Sequence, residues 1–109
     1  MSIKSIQNLK EFTKFLDNNY ASIIIVYFYE TSDWCNELNE KMDKIFSSNC
    51  NGNTKILKID LSKLGNKSII TECNVNCYPI IRLYKYSKMF QEIYCTYPNV
   101  EEIISSFLN

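Results

Sequence analysis

The sequence predicts an α/β fold in three layers, a mixed central β-sheet with helices on both faces. Three observations carry this. Residues 22–29 read SIIIVYFY, a nearly unbroken β-branched and aromatic run, the pattern of a central strand covered on both sides. Segments with helical spacing of apolar residues alternate with short β-type segments, which implies parallel pairing through crossovers. The last two β-type segments follow one another across a short turn, which adds an antiparallel hairpin.

The elements follow in order. Residues 1–4 suit a short edge strand. Ser5 is placed to cap a helix from Ile6 to Asn18, with Ile6, Leu9, Phe12 and Leu16 on one face and Asn18-Asn19 as its end. The central strand leads into a polar turn at 30–34, where Ser32 and Asp33 are candidate helix caps. A helix over 35–47 buries Leu38, Met42, Ile45 and Phe46. Residues 49–53 are a loop, 55–61 (KILKIDL) a further strand and 66–73 a short helix. Residues 79–86 (PIIRLYKY) and 89–95 make the hairpin, turning at Ser87-Lys88. Pro98 suits the first turn of a last helix whose buried face is Val100, Ile103, Ile104 and Phe107. The order is β-α-β-α-β-α-β-β-α, a sheet of four or five strands.

The chain of 109 residues is expected to form a single domain, 1–109. That length buries roughly two thirds of the unfolded surface, enough for a core without staples. Hydrophobic residues at 46% and charged residues at 22% match globular averages and argue against disorder. Twelve basic and twelve acidic residues give a net charge of zero, so nothing favours nucleic acid or an anionic membrane by bulk electrostatics. There is no histidine, which excludes Ser-His-Asp and Cys-His catalysis and any metal site built on imidazole. Eleven of the twelve basic residues are Lys, and Asn, Ile and Tyr are abundant, a bias that reflects an AT-rich source. The start, MSIKSIQNLKEF, has no apolar core or cleavage site, and the longest apolar run falls far short of the ~20 residues that span a bilayer. A cytoplasmic protein with no membrane contact is expected. The five cysteines, Cys35, Cys50, Cys73, Cys77 and Cys95, form no C-x-x-C pair and no disulfide framework. They are expected as free thiols, with no metal and no cofactor.

Chemistry concentrates where the central strand turns into the second helix. Trp34-Cys35 opens that helix, and a thiol at a helix N-terminus is favoured as thiolate by unpaired backbone N–H groups and the helix dipole. Asp33 and Glu37 oppose this and Lys41 and Lys44 compensate weakly. On spacing alone, Cys35 reads equally well as an ordinary first-turn residue beside a packed Trp. The second feature is Val75-Asn76-Cys77-Tyr78-Pro79-Ile80, a proline at the start of a strand. Its peptide bond is expected trans on physics alone, since only about 5–6% of X–Pro bonds in folded proteins are cis.

VYFYETSDWCNEL is similar to the strand and active-site turn of thioredoxins and disulfide isomerases, V-[DE]-F-x-A-x-W-C-x-x-C. LKIDLSK resembles the following strand with its Asp, and TECNVNCYPIIRLYKY the segment around the family's cis-proline, including the Cys two before Pro found in animal cytosolic thioredoxins. The chain thus resembles thioredoxin over nearly its whole length. The resemblance implies a thioredoxin-like three-layer sandwich, a cis Tyr78–Pro79 bond, Cys35 as attacking thiol, and a groove for substrate or partner at Trp34, Tyr78 and Pro79.

The departures are as informative. The resolving position, three residues after Cys35, holds Leu38. Without a second thiol there, C-x-x-C chemistry stops after the first attack. The turn before Trp34 is longer than usual. The position of the family's buried acid is Tyr27, that of its Lys partner is Ile56, and the glycines of the hairpin are missing. Loss of the dithiol cycle explains the changes at Leu38, Tyr27 and Ile56 together. Cys77, beside the active-site turn, is a candidate distant resolving thiol against the plainer reading of an idle, partly exposed Cys. Cys73 is expected to pack inward; Cys50 and Cys95 receive no role. Tyr78, Tyr84, Tyr86, Tyr94 and Tyr97 gather around the hairpin, where tyrosines pack a sheet face or, if exposed, recognise a partner.

Two functions follow. The first is an atypical monothiol thioredoxin-like protein in redox homeostasis, exchanging thiols with protein disulfides or glutathione. The alternative is a non-catalytic thioredoxin-fold adaptor that binds a protein partner at the Trp34/Pro79 groove.

Overall fold

The computed structural model describes residues 3–31, 33–48, 54–94 and 100–108. In chain order the elements are β1 (Ile3–Ile6), α1 (Leu9–Asn18), β2 (Ile23–Tyr29), α2 (Asp33–Ser48), β3 (Thr54–Asp60), a 3₁₀ turn (Leu64–Asn66), α3 (Lys67–Glu72), β4 (Ile80–Lys85), β5 (Lys88–Tyr94) and α4 (Val100–Leu108). The five strands form one sheet in the order β1-β3-β2-β4-β5. β2 is central, parallel to β3 from Ile23↔Thr54 to Tyr29↔Asp60 and antiparallel to β4 from Ile24↔Tyr84 to Phe28↔Ile80.

Alternation along the strands divides the core into two faces. Ile24, Val26, Phe28, Leu57, Ile59, Ile80 and Tyr84 point to one side, where Phe12 and Leu16 of α1 and Ile69 of α3 cover them. Phe12 meets Phe28 and Tyr84 edge-on, with centroids 6.2 and 5.7 Å away, the geometry the ring quadrupoles favour. Ile25, Tyr27, Ile56, Ile81, Leu83 and Ile93 point to the other side, under Met42, Ile45 and Phe46 of α2 and Ile104 of α4. Both faces of β2 are therefore dry, as its uncharged sequence requires.

Several boundaries differ from the sequence expectation, each for a physical reason. Ile6 and Ser5 belong to β1, paired with Ile59 and Lys58, so Ser5 does not cap the first helix. The edge strand runs on to Ile6, and α1 starts at Leu9 behind Asn8, whose Oδ1 accepts the Glu11 N–H at 2.8 Å. The short third helix is a 3₁₀ turn followed by α3. A Cβ at Gly65 in that turn would lie 2.3 Å from the Gln7 carbonyl oxygen, so only glycine lets it approach β1. The hairpin turns at Tyr86-Ser87 rather than Ser87-Lys88, with φ of 57° and 59° in the left-handed region. The loop at 49–53, the cap at Ser32 and Pro98 lie outside the described residues.

Candidate functional site

Antiparallel pairing of β2 and β4 ends at Phe28↔Ile80, so the residues after Tyr29 and those before Ile80 leave the sheet at one end. The first leads into α2, whose opening turn contains Asp33, Trp34 and Cys35. The second is Cys77-Tyr78-Pro79, with Cys77 and Tyr78 exposed, Pro79 buried and the Tyr78–Pro79 bond cis. The fold thus brings the helix turn holding Trp34-Cys35 and the segment 77–79 to the same end of neighbouring central strands. Leu38 follows Cys35 one helical turn later. The side chains of Trp34, Cys35 and Leu38, and Cys50, Cys95 and Tyr97 altogether, lie outside the described residues.

β3 ends alongside, with Tyr29↔Asp60 as its last pair. The Asp60 carboxylate, 8% exposed, accepts the Thr31 hydroxyl at 2.7 Å, the Ser62 hydroxyl at 2.5 Å and the Ser62 N–H at 3.0 Å. Leu61 N–H donates to the Tyr29 carbonyl at 2.7 Å. Burial pushes the Asp60 pKa up, but the hydrogen bonds from Ser62 and Thr31, helped by nearby Lys63, outweigh it and hold it below the ordinary value. The turn between β2 and α2 is therefore tied to the end of β3 by an ionised carboxylate.

Among the described residues the buried acid on the face under α2 is Asp60 at its end, and none is buried beneath the middle of the helix. Tyr27 is fully buried, stacks on Tyr29 with centroids 5.1 Å apart, and donates its hydroxyl to Asn39 Oδ1 of α2 at 2.5 Å. Ile56 is apolar and buried in the same cluster. The cation on this face is Lys58, paired with Asp43 of α2 at 2.8 Å and lying 5.1 Å from the Tyr29 ring centroid. Burial raises the Tyr29 pKa, and the carboxylates of Asp60 and Asp43 raise it further, so its phenol stays neutral. Among the described residues Asp60 is the only buried carboxylate, and its hydrogen bonds go to Thr31 and Ser62.

The segment that carries Cys77-Tyr78-Pro79 is anchored from the other face. Arg82, the chain's single arginine, is 6% exposed on β4. It donates to the carbonyls of Cys73 at 2.5 Å and Asn74 at 2.8 Å, and through Nε to Glu92 of β5 at 2.8 Å. Its guanidinium lies 5.5 Å from the Phe28 centroid. Cys73 is half-buried; burial raises its pKa, which Arg82 only partly offsets, so it is kept as thiol. Cys77 is exposed on the same segment.

Of the hairpin tyrosines, Tyr84 is buried in the core, whereas Tyr78, Tyr86 and Tyr94 are exposed. Sequence reasoning did not reach the Tyr27–Asn39, Lys58–Asp43, Asp60–Thr31 or Arg82 contacts. The signals for them were slight: a lone Arg within an apolar strand, and a Tyr in the position of an acid. Among the described residues, no three Cys, Asp or Glu side chains could hold a metal ion, and no helix is long and apolar enough to cross a membrane.

The family model Thioredoxin matches residues 4–108. No curated protein sequence matches significantly. Similar solved structures include a thioredoxin from Malassezia sympodialis, 14% identical with a TM-score of 0.81, covering all of this chain (100%) and 96% of that one. Fasciola hepatica thioredoxin is 15% identical with a TM-score of 0.78, covering 96% of this chain and 99% of that one. A chain from a structure concerning thiol resolution in yeast mitochondrial 1-Cys peroxiredoxin via glutathione/thioredoxin systems is 21% identical with a TM-score of 0.66, covering 96% and 94% respectively. At these identities the likeness establishes the fold alone.

Proposed function

We propose that this chain, which belongs to the thioredoxin family, acts in thiol–disulfide exchange as a monothiol protein with Cys35 as its nucleophile. One observation carries the reading: Cys35 stands in the first turn of α2 at the end of the sheet shared with Tyr78-Pro79, and one turn on the chain has Leu38 in place of a second thiol. The Cys35 thiolate attacks one sulfur of a disulfide. The old S–S bond breaks, a Cys35 mixed disulfide forms, and the other sulfur departs as a thiolate. Leu38 has no thiol to continue, so the adduct persists until glutathione or a partner thiol attacks it and frees Cys35. Buried Tyr27, in place of a carboxylate at the position of the family's acid, fits a protein with no second, internal attack to assist. Trp34, Tyr78 and Pro79 form the contact surface for a protein disulfide. Exposed Cys77, on the neighbouring segment, is a candidate for distant resolution. The chemistry needs no cofactor and suits a reducing compartment such as the cytoplasm.

The test is incubation with oxidised glutathione followed by peptide mass mapping. A single glutathione on Cys35, stable until excess reductant is added and absent in Cys35→Ser, is the expected result. A Cys77→Ser variant with a longer-lived adduct assigns resolution to Cys77. With thioredoxin reductase and NADPH the protein should show little disulfide reductase turnover. Leu38→Cys should raise it only in part, because Tyr27 and Ile56 still occupy the positions of the charged pair. A folded protein whose accessible Cys35 takes no glutathione belongs instead to the non-catalytic binding class.

A further inference from the structure

Tyr27 and Lys58 grip α2 at successive turns. The Tyr27 hydroxyl holds Asn39 at 2.5 Å, and Lys58 holds Asp43 at 2.8 Å. Asn39 and Asp43 are four residues apart, hence on one stripe of the helix, and Cys35 begins that stripe one turn earlier. Met42, Ile45 and Phe46 of α2 pack into the apolar core beneath the helix. They seat the helix from Met42 onward, and the Tyr27–Asn39 hydrogen bond adds a directional contact nearer the first turn. The ring is itself immobilised, stacked on Tyr29 and meeting Phe46 edge-on with a centroid distance of 6.1 Å.

We propose that Tyr27 is a positioning residue for Cys35, setting the rotation and seating of the opening turns of α2 through Asn39. This rests on the reading of Cys35 as the nucleophile. The Tyr27 hydroxyl donates to an amide oxygen, so its role toward the thiol is not that of a proton acceptor. Its effect is steric and directional. Held in place, the first-turn N–H groups stay aligned around residue 35, where they favour a thiolate. Released, the turn rocks on its apolar contacts and that alignment is lost.

The experiment measures the rate at which iodoacetamide alkylates Cys35 in the folded protein, by peptide mass, alongside urea unfolding of each variant. Tyr27→Phe keeps the ring and removes only the hydroxyl. Asn39→Leu removes the acceptor. Each should slow Cys35 alkylation about five-fold, the effect of one net hydrogen bond. The double variant should be no slower than either single, because both remove the same bond. Asp43→Asn weakens the second grip and lowers the urea midpoint, but should leave the Cys35 rate within about two-fold of wild type. A rate in Tyr27→Phe within that range, additive singles, or an equal slowing in Asp43→Asn overturns the proposal. Should Tyr27→Phe not fold, Asn39→Ala against Asn39→Gln, which keeps an uncharged amide acceptor for the hydroxyl, gives the same comparison. Alkylation requires no disulfide exchange. A wild type that forms no glutathione adduct therefore defeats the functional reading while leaving this measurement intact, and normal adduct formation with unchanged rates in the variants defeats only the positioning role.

Discussion

Replacing Arg82 tests how the segment bearing Cys77-Tyr78-Pro79 is held. Its guanidinium makes three hydrogen bonds at 2.5–2.8 Å, two to successive carbonyls just after α3 and one to Glu92. Arg82→Met keeps an unbranched aliphatic stem but removes the guanidinium, and with it all three bonds and the contact with Phe28. Bonds to a charged group contribute about 1.5–3 kcal/mol each. The partners are not equally stranded, however: Asn74 and Glu92 are exposed and can turn to water, whereas Cys73 is partly enclosed and Tyr84, whose hydroxyl also meets Arg82, is buried. Met also avoids the desolvation of a buried cation. The expected net loss is about 2–3 kcal/mol, read as a lower urea midpoint at unchanged m-value and a fall in Tm of roughly 10 °C. Arg82→Lys keeps the charge but cannot span three acceptors from one point, so it should lose nearly as much. Amide exchange at Val75, whose N–H bonds the Ile70 carbonyl at 3.0 Å, should quicken in both variants. A loss under about 0.5 kcal/mol in Arg82→Met, or a Lys variant close to wild type, would show that the fork is not what holds this segment.

Two further outcomes follow from local chemistry. The folded-state pKa of Asp60 is depressed, so its ionised form stabilises the fold at pH values above the unfolded pKa of about 3.9, and that contribution disappears as pH falls through the folded value. Asp60→Asn should flatten the acid limb of stability against pH in urea titrations between pH 2 and 7, and an unchanged acid limb contradicts the assignment. Ser87 sits at φ 59° with its hydroxyl on Asp17 at 3.0 Å in an exposed bond. Ser87→Gly removes a left-handed penalty of about 1 kcal/mol and gives back part through the lost bond, for a net gain of about 0.5 kcal/mol in thermal unfolding. A lower Tm refutes it. Tyr86→Asn should gain less, because it discards the Tyr20–Tyr86 ring contact at 5.1 Å.

The parts of the fold that were legible in the sequence were those where one burial state alone is tolerable. Ile23–Tyr29 has no charge and so must be central. Phe12 with Leu16 and Ile45 with Phe46 mark helix faces by period. Ile6 was ambiguous because it stands three residues before Leu9 and suits either a helix stripe or a strand end; pairing with β3 decides it. The Tyr86-Ser87 turn carries neither Gly nor Asn, so its left-handed backbone has no local signature and is imposed by contacts with α1 and Tyr20. At the candidate site, short motifs identified the Trp34-Cys35 and Tyr78-Pro79 segments. The supports around them join residues far apart in the chain, such as Thr31 with Asp60 and Arg82 with Cys73, and no spacing rule encodes such pairs.

The place of β2 in the sheet also sets an order of events during synthesis. Its β3 partner is complete once Asp60 has been made, whereas its other neighbour, β4, begins only at Ile80. In between, the nascent chain carries IIIVYFY with one side of its backbone unsatisfied. That strand is uncharged and free of proline, the composition that templates intermolecular strand addition. Distant pairings of this kind close slowly. One side of β2 therefore stays open until β4 is made, and a fragment cut within 61–79 would keep its central strand permanently open to a neighbour.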